Sequence, residues 1–291
     1  MRELDVTTAD GRTLRVLDCG PQDGAPVLVH NGTPNSRMLF GHDVERAQAA
    51  GVRMISYDRP GYGDSTRLEG RSVADCVTDV RAIAGALGVE RLAVWGISGG
   101  GPHALACAAL LEDLVPAVGV LGSIAPWGAK GLDYFDGMGE LNVQDTKLQL
   151  EDKAAALTKA QADREEMLGE DAAGLTQQFK TLLSPVDAAV MSGELGEYLV
   201  DCFRSGLAPG AEGWWDDAEA HLAPWGFDVT AIRTPVLLMH GRHDRFVPFA
   251  HGQWLAAHIP GVEAMLSDED GHLTLTAHHL ERLHSWLVER L

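Results

Sequence analysis

The chain has 291 residues, of which 45% are hydrophobic, and its 42 acidic and 23 basic residues leave a net charge of -19. This length suits one large α/β domain that carries a sizeable insertion. The strong negative charge argues against nucleic acid or an anionic membrane surface as a partner. The longest apolar stretch, near Val115 to Trp127, is interrupted by glycine and proline and is too short to span a bilayer.

The first 124 residues predict an N-terminal hairpin and then alternating strands and helices. The hairpin turns at Ala9-Asp10-Gly11. One helix is well marked, because Ser72 and Asp75 form a capping box at its start and Gly88 ends it. The other predicted elements are buried strands at 27–29, 52–57, 92–95 and 115–121, a helix near 41–50 and a helix after Ser98.

The alternation stops between residues 125 and 228, where the sequence is helical and irregular. Segment 151–168 is rich in helix-forming residues, apolar positions between 190 and 203 make a helical stripe, and Ser184-Pro185 marks a helix start. A structureless loop of this length is implausible inside a compact fold. We therefore predict an inserted helical lid, with six aromatic residues in or beside it: Trp127, Tyr134, Phe135, Trp214, Trp215 and Trp225.

Strands at 236–239 and 262–266 and a final helix follow the predicted lid. The predicted domain organisation is a core made of residues 1–124 and 229–291 and a lid made of residues 125–228. The fold class that this order predicts is α/β, with a mostly parallel central sheet and helices on both faces.

The most informative stretch is Gly96-Ile97-Ser98-Gly99-Gly100, which lies between an apolar strand and an Ala- and Leu-rich helix. In this context a G-x-S-x-G turn is sharp and strained, and it exposes the serine hydroxyl. Gly96 and Gly100 leave room where the strand and the helix nearly touch. The N–H of Gly99 points from the helix N-terminus toward any oxyanion that forms there. Ser98 is therefore the candidate nucleophile.

A serine nucleophile needs a base and a group that orients the base. Two later loops, each after a predicted strand, offer both groups: Asp244 follows strand 236–239, and His272 follows strand 262–266. In α/β sheets such loops meet at the carboxyl ends of the strands. The chain order serine, aspartate, histidine is that of the α/β-hydrolase fold.

These three motifs, the hairpin and the helical insertion resemble an α/β-hydrolase superfamily serine hydrolase with a helical lid, of the carboxylesterase or proline iminopeptidase type. The resemblance implies that Ser98 is the nucleophile, His272 the general base and then acid, and Asp244 the orienting acid. It also implies an oxyanion hole formed by the backbone N–H groups of Gly99 and Thr33. The family usually has His-Gly at this loop, whereas Asn31 here separates His30 from Gly32. Gly32 therefore stays the alternative to Thr33 as second donor.

Three carboxylates lie closer to His272 along the chain than Asp244 does: Asp268, Glu269 and Asp270. A group on the same short loop has difficulty in reaching the far side of the imidazole ring, whereas a loop from the neighbouring strand arrives there naturally. Some relatives have the orienting acid after the strand that follows the nucleophile helix, but here that strand ends without a carboxylate. Asp244 is therefore the predicted partner of His272.

Other residues are weighed against this interpretation. Ser65 lies in a strand-end loop without the strand–turn–helix context, and His103 either lines the site or packs. His240, His243 and Asp244 have metal-ligand spacing, but no further ligands are apparent, so no metal is expected. His278 and His279 lie on the final helix and are expected to be solvated. The four cysteines lack CxxC spacing, which predicts reduced, buried thiols. Together with the absence of an apolar N-terminal segment, this predicts a cytoplasmic protein.

The predicted function is hydrolysis of an ester of a small hydrophobic molecule through an acyl-enzyme on Ser98, without a cofactor. The alternatives are an aminopeptidase of the proline iminopeptidase type, a C–C bond hydrolase and a non-catalytic ligand-binding protein. Lid acids available to an aminopeptidase are Glu194, Glu197, Asp201, Glu212, Asp216 and Asp217. The expected partner is a small-molecule substrate, with no nucleic acid and no membrane, and a homodimer is left open.

Overall fold

A computed structural model describes residues 1–191 and 193–291 of the chain. Its central feature is one eight-stranded sheet with the order β1-β2-β4-β3-β5-β6-β7-β8. The strands are β1 (Arg2–Thr7), β2 (Thr13–Cys19), β3 (Ala25–His30), β4 (Val52–Tyr57), β5 (Ala93–Ile97), β6 (Val118–Leu121), β7 (Val236–Gly241) and β8 (Glu263–Ser267).

The sheet is parallel from β4 to β8 and antiparallel only where β2 pairs with β1 and with β4. The predicted mostly parallel sheet is thereby confirmed. Since β5, β7 and β8 are parallel members of one sheet, the loops that follow them leave from the same edge. Ser98, Asp244 and His272 lie in these three loops.

Helices cover both faces of the sheet, as predicted. One face packs against α2 (Cys76–Leu87), α3 (Gly101–Leu110) and α10 (Phe249–His258). The other packs against α1 (Gly41–Ala49) and α11 (Thr274–Val288), whose Leu280, Leu283 and Leu287 are buried. Gly88 ends α2 in the left-handed conformation, as its sequence position predicts.

The segment between β6 and β7 contains six described α-helices. They are α4 (Glu140–Glu151), α5 (Lys153–Gly169), α6 (Ala172–Gln178), α7 (Pro185–Val190), α8 (Glu194–Gly206) and α9 (Glu212–Leu222). Residues of α5, α6 and α8 form a small apolar core that includes Met167, Leu175 and Phe203. Trp214 of α9 and Phe246 and Leu273 of the sheet domain pack against this core. The predicted lid, residues 125–228, contains all six, and the word lid below denotes this segment.

Some predicted bounds were wrong. The apolar stripe between residues 190 and 203 belongs to two helices, because α7 ends at Val190 and α8 starts at Glu194. The strand expected from Val115 starts at Val118, since the Val115 N–H donates to the Leu111 carbonyl and so continues the turn after α3. Apolar residues look alike in a strand and in a turn that is buried beside it.

The four cysteines are buried and unpaired, as predicted. Among the described residues, none of the helices combines the length and hydropathy that crossing a bilayer requires.

Candidate active site

Ser98 lies at the sharp turn between β5 and α3. Its φ of 56° is positive, and among the described residues it is the only non-glycine residue with this property. Such a conformation is strained and is typical of functional positions. The side chain contributes to the wall of a large cavity, the main cavity, whose volume is about 560 Å³.

The glycines on either side of Ser98 allow backbone segments to approach one another closely. A Cβ atom on Gly96 would lie 2.3 Å from the Gly100 carbonyl oxygen, and one on Gly100 would lie 2.0 Å from the His30 carbonyl oxygen. Both distances are far below van der Waals contact. The prediction that these glycines leave room for a close approach of the backbone is therefore confirmed.

The structure places Asp244 beside His272. Nδ1 of His272 is 2.7 Å from Oδ2 of Asp244, and both side chains are buried. The Val247 N–H donates to the other Asp244 oxygen at 2.8 Å and so fixes the carboxylate. Phe246 stacks on the imidazole, with ring centroids 4.7 Å apart.

Two opposing effects determine the pKa of His272. Burial lowers this pKa, but the Asp244 carboxylate outweighs burial through its charge and its hydrogen bond, and the pKa is raised above its ordinary value. Because Asp244 occupies Nδ1, the other ring nitrogen, Nε2, is left for a reacting group. His272 also lines the main cavity.

The carboxylates that are closer along the chain have other partners. Asp268 is exposed and pairs with Arg242. Asp270 accepts hydrogen bonds from Ser267, His278 and His279. Burial raises the pKa of Asp270, but these hydrogen bonds outweigh it and lower the pKa to about 2.

Asp187, on lid helix α7, holds the backbone around His272, and sequence analysis missed it. Its fully buried carboxylate accepts hydrogen bonds from the N–H groups of His272 at 3.0 Å, Leu273 at 2.7 Å and Thr274 at 3.3 Å. The Ser184 hydroxyl donates to the same carboxylate at 2.7 Å. The negative charge thus lies at the N-terminus of α11, where the helix dipole favours it. The lid therefore positions His272 through its main chain.

Replacing Asp187 with asparagine is expected to lower kcat by about 10²-fold, because the amide brings N–H groups against main-chain N–H groups and displaces His272. Asp171→Asn is the matched control: Asp171 is an exposed lid aspartate whose carboxylate caps α6 through the N–H groups of Ala173 and Gly174. Kinetics and thermal unfolding of both variants check this. Equal losses of kcat in the two variants would show that Asp187 has no positioning role.

On the other side of Ser98, the structure brings Gly99 and the loop of Gly32 and Thr33 together. A Cβ atom on Gly99 would lie 2.3 Å from Thr33 Oγ1, and one on Gly32 would lie 3.4 Å from the Ser98 Cβ. Gly32 and Thr33 both line the main cavity, so the choice of second oxyanion donor stays a prediction. The Asn31 amide donates to the Ser36 and Met38 carbonyls and is thus tied to its own loop.

A buried ion cluster around Asp217 of lid helix α9 supports this loop. Arg59 and Arg71 each donate to the Asp217 carboxylate at 2.6 Å, and the Thr33 hydroxyl donates to it at 3.1 Å. Burial raises the pKa of Asp217, but the two arginines outweigh burial and hold it well below its ordinary value. Removal of one partner from such a cluster is strongly destabilising.

Two histidines beside this cluster hold the Gly99 carbonyl oxygen. His103 Nδ1 and His221 Nε2 each lie 3.0 Å from it. His103 is fully buried beneath the turn and does not belong to the cavity wall, so of the two predicted alternatives it packs. His221, on α9, was not singled out in the sequence.

The other residues considered in the sequence, a serine and several histidines, lie outside the candidate active site or contact other parts of the fold. His240 is buried and its Nε2 hydrogen-bonds the Val247 carbonyl oxygen at 2.9 Å, whereas His243 is exposed. The Ser65 hydroxyl accepts a hydrogen bond from the Arg15 N–H at 2.9 Å. The two histidines of α11 are exposed (His278) and partly exposed (His279), as expected, and both also contact Asp270.

Comparison with known proteins identifies the family. Residues 25–277 match the family model described as alpha/beta hydrolase fold. The chain therefore belongs to the α/β hydrolase fold family.

Among curated proteins, the chain is 27% identical over 247 residues to a bifunctional esterase/perhydrolase of Acinetobacter calcoaceticus, covering 84% of this chain and 83% of that protein. It is 29% identical over 271 residues to an AB hydrolase superfamily protein of Bacillus subtilis, with 92% and 91% covered. Among solved structures, a thermophilic esterase from Thermogutta terrifontis has a TM-score of 0.70 at 20% identity, with 99% of this chain and 97% of that chain covered. This structural likeness shows the shared fold.

Proposed function

We propose that the protein is a serine hydrolase of the carboxylesterase type that cleaves esters of small hydrophobic molecules. The observation that carries this proposal is that strained Ser98 and the hydrogen-bonded pair of His272 and Asp244 belong to three loops around one cavity. Family membership and the named relatives support a hydrolase. The residue at the nucleophile turn is a serine. Enzymes that act through a carboxylate nucleophile would need an acidic residue at this turn, so serine favours acyl transfer.

In the proposed reaction, the Ser98 hydroxyl attacks the ester carbonyl and His272 Nε2 takes its proton. Asp244 keeps the other nitrogen protonated and stabilises the imidazolium. Backbone N–H groups of Gly99 and Thr33 stabilise the oxyanion. The alcohol leaves with the proton from His272, and water then hydrolyses the acyl-enzyme with the same histidine as base.

The walls of the main cavity favour a neutral, apolar substrate. Apolar side chains make up much of the wall, among them Ile124, Leu141, Leu182, Leu195, Phe203 and Trp214. The charged wall residues are Asp43, Asp145, Lys159, Asp163 and Glu166. Lys159 is already paired, with its ammonium 2.9 Å from Asp145 and 2.5 Å from Asp163. An anionic substrate would thus meet an excess of negative charge.

The three alternatives receive less support from the contacts. None of the six lid acids named for an aminopeptidase belongs to the described wall of the main cavity. Three other acids of residues 125–228 do line it, Asp145, Asp163 and Glu166, and the first two pair with Lys159. Asp216 and Asp217 are instead bound by arginines, and Glu194 contacts His42. A C–C bond hydrolase would use the same three residues, so only substrates separate it from an esterase. A pure binding protein has no need of them.

The test compares p-nitrophenyl butyrate with p-nitrophenyl hemisuccinate, which carries a carboxylate in its acyl group. We expect kcat/KM to favour the neutral ester by at least about 10-fold, or ~1.4 kcal/mol. Asp163→Asn leaves Lys159 with one carboxylate fewer, and should raise turnover of the anionic ester more than that of the neutral one.

Preference for the anionic ester would contradict the proposed substrate class. Turnover of an aminoacyl anilide or a vinylogous diketone, without ester turnover, would instead support the aminopeptidase or the C–C hydrolase. Ligand binding without turnover of any of these compounds would support the binding protein.

A further inference from the structure

A cluster of two imidazoles and one carboxylate lies at the start of α11, outside the main cavity. His278 Nδ1 is 2.9 Å from Asp270 Oδ1, and His279 Nε2 is 2.7 Å from Asp270 Oδ2. The three ligand atoms lie within 4.8 Å of one another. Asp270 is buried, and the Ser267 hydroxyl donates to its Oδ2 at 2.6 Å, which fixes the carboxylate. Three donor groups thus converge on one point.

This donor set is suited to a borderline divalent cation. Imidazole nitrogens and carboxylate oxygens are the ligands of many Zn²⁺ sites, and water can complete a tetrahedral shell. The His278 side chain is 54% exposed and that of His279 is 25% exposed, so solvent reaches the cluster. We propose that Asp270, His278 and His279 form a binding site for Zn²⁺ or a similar divalent ion. The Ser267 hydroxyl, which donates a hydrogen bond to the Asp270 carboxylate, would not bind the ion itself but would hold this ligand in its orientation.

The proposed site is connected to the loops of the candidate active site. Asp270 lies two residues before His272. Its carbonyl oxygen accepts a hydrogen bond from the His243 N–H at 2.9 Å, next to Asp244. A metal ion that joins Asp270 to α11 would therefore cross-link the helix to the loop that carries His272. Because the ion binds the folded state, it should raise thermal stability. The proposal goes beyond the esterase function and does not depend on it.

The experiment titrates the full chain, freed of metal with EDTA and then desalted, with ZnCl₂ in a non-chelating buffer. Isothermal titration calorimetry should show one Zn²⁺ per chain at the tightest site, and Zn²⁺ should raise the Tm. His278→Ala and His279→Ala should each weaken this binding by at least about 10-fold and remove most of the Tm increase.

Two further variants separate metal binding from structural hydrogen bonding. His278→Gln keeps an N–H donor for Asp270 without an imidazole ligand, so its metal-free Tm should stay near that of the wild type while the response to Zn²⁺ is lost. His42→Ala is the matched control, because His42 Nε2 lies 2.6 Å from Glu194 and its side chain is 56% exposed, without a second imidazole.

The His42 variant should bind Zn²⁺ as the wild type does. Equal Zn²⁺ binding by the wild type and by the double variant His278→Ala/His279→Ala would overturn the proposal, as would a loss of binding that occurs only in His42→Ala.

Discussion

Replacing Ser98 with alanine is expected to abolish both ester turnover and covalent labelling by a fluorophosphonate. In the proposed mechanism the Ser98 hydroxyl is the nucleophile, so its removal leaves only substrate binding and oxyanion stabilisation. Loss of a serine nucleophile costs about 10⁶-fold in kcat. Steady-state kinetics and mass spectrometry of the labelled chain measure the two effects.

Ser65→Ala is the control for this experiment, because Ser65 also lies in a loop after a strand, but its hydroxyl hydrogen-bonds the Arg15 N–H. This variant should keep both turnover and labelling at Ser98. Ser98→Gly should be inactive like Ser98→Ala but more stable, since glycine adopts the φ of 56° without strain. A fluorophosphonate adduct on Ser65, or full turnover by Ser98→Ala, would refute the assignment of the nucleophile.

Replacing Asp244 with asparagine is expected to keep the fold and to lower kcat by about 10⁴-fold. The asparagine amide favours the His272 tautomer in which Nε2 carries the proton, and such a nitrogen cannot accept the Ser98 proton. In the wild type, Asp244 raises the pKa of His272, so kcat/KM should fall on the acid side with a midpoint above the ordinary histidine value of about 6.5. Without the negative charge, the midpoint of the residual activity should move to lower pH.

Asp268→Asn is the control for Asp244→Asn, because Asp268 is nearer to His272 in the chain but is exposed and pairs with Arg242. Its effect on kcat should be far smaller, and its pH profile should match that of the wild type. A crippling effect of Asp270→Asn together with a nearly silent Asp244→Asn would show that the acid partner had been chosen wrongly.

Short-range patterns were sufficient to predict the mostly parallel sheet and its helices. Buried strands of a parallel sheet are continuous apolar runs, and helices show their periodicity and their caps within a few residues. The left-handed conformation of Gly88 and the close backbone approach at Gly96 and Gly100 were predicted from such short-range patterns and are confirmed. The start of β6 was predicted at Val115 instead of Val118, because a buried turn and a buried strand have similar apolar composition.

The contacts of the lid with the candidate site could not be predicted in this way. Asp187 and Asp217 resemble any other acidic residue of a strongly acidic chain, and no motif distinguishes them. Asp187 meets the His272 N–H across 85 residues of sequence, and Asp217 meets Arg59 across 158. Such pairs form only when the lid packs on the sheet domain, because a buried carboxylate needs donors that a distant segment supplies.

The sequence by itself determined the elements, their order and the three loops that carry Ser98, Asp244 and His272, because strand ends and glycine turns are local properties of the chain. The choice of Asp244 as the partner of His272 also followed from the sequence, through the position of its loop. Only the tertiary structure decided which lid residues hold the His272 main chain and that His278 and His279 converge on Asp270. These choices depend on the direction in which each side chain points after packing, and that direction is set by neighbours far away in the sequence.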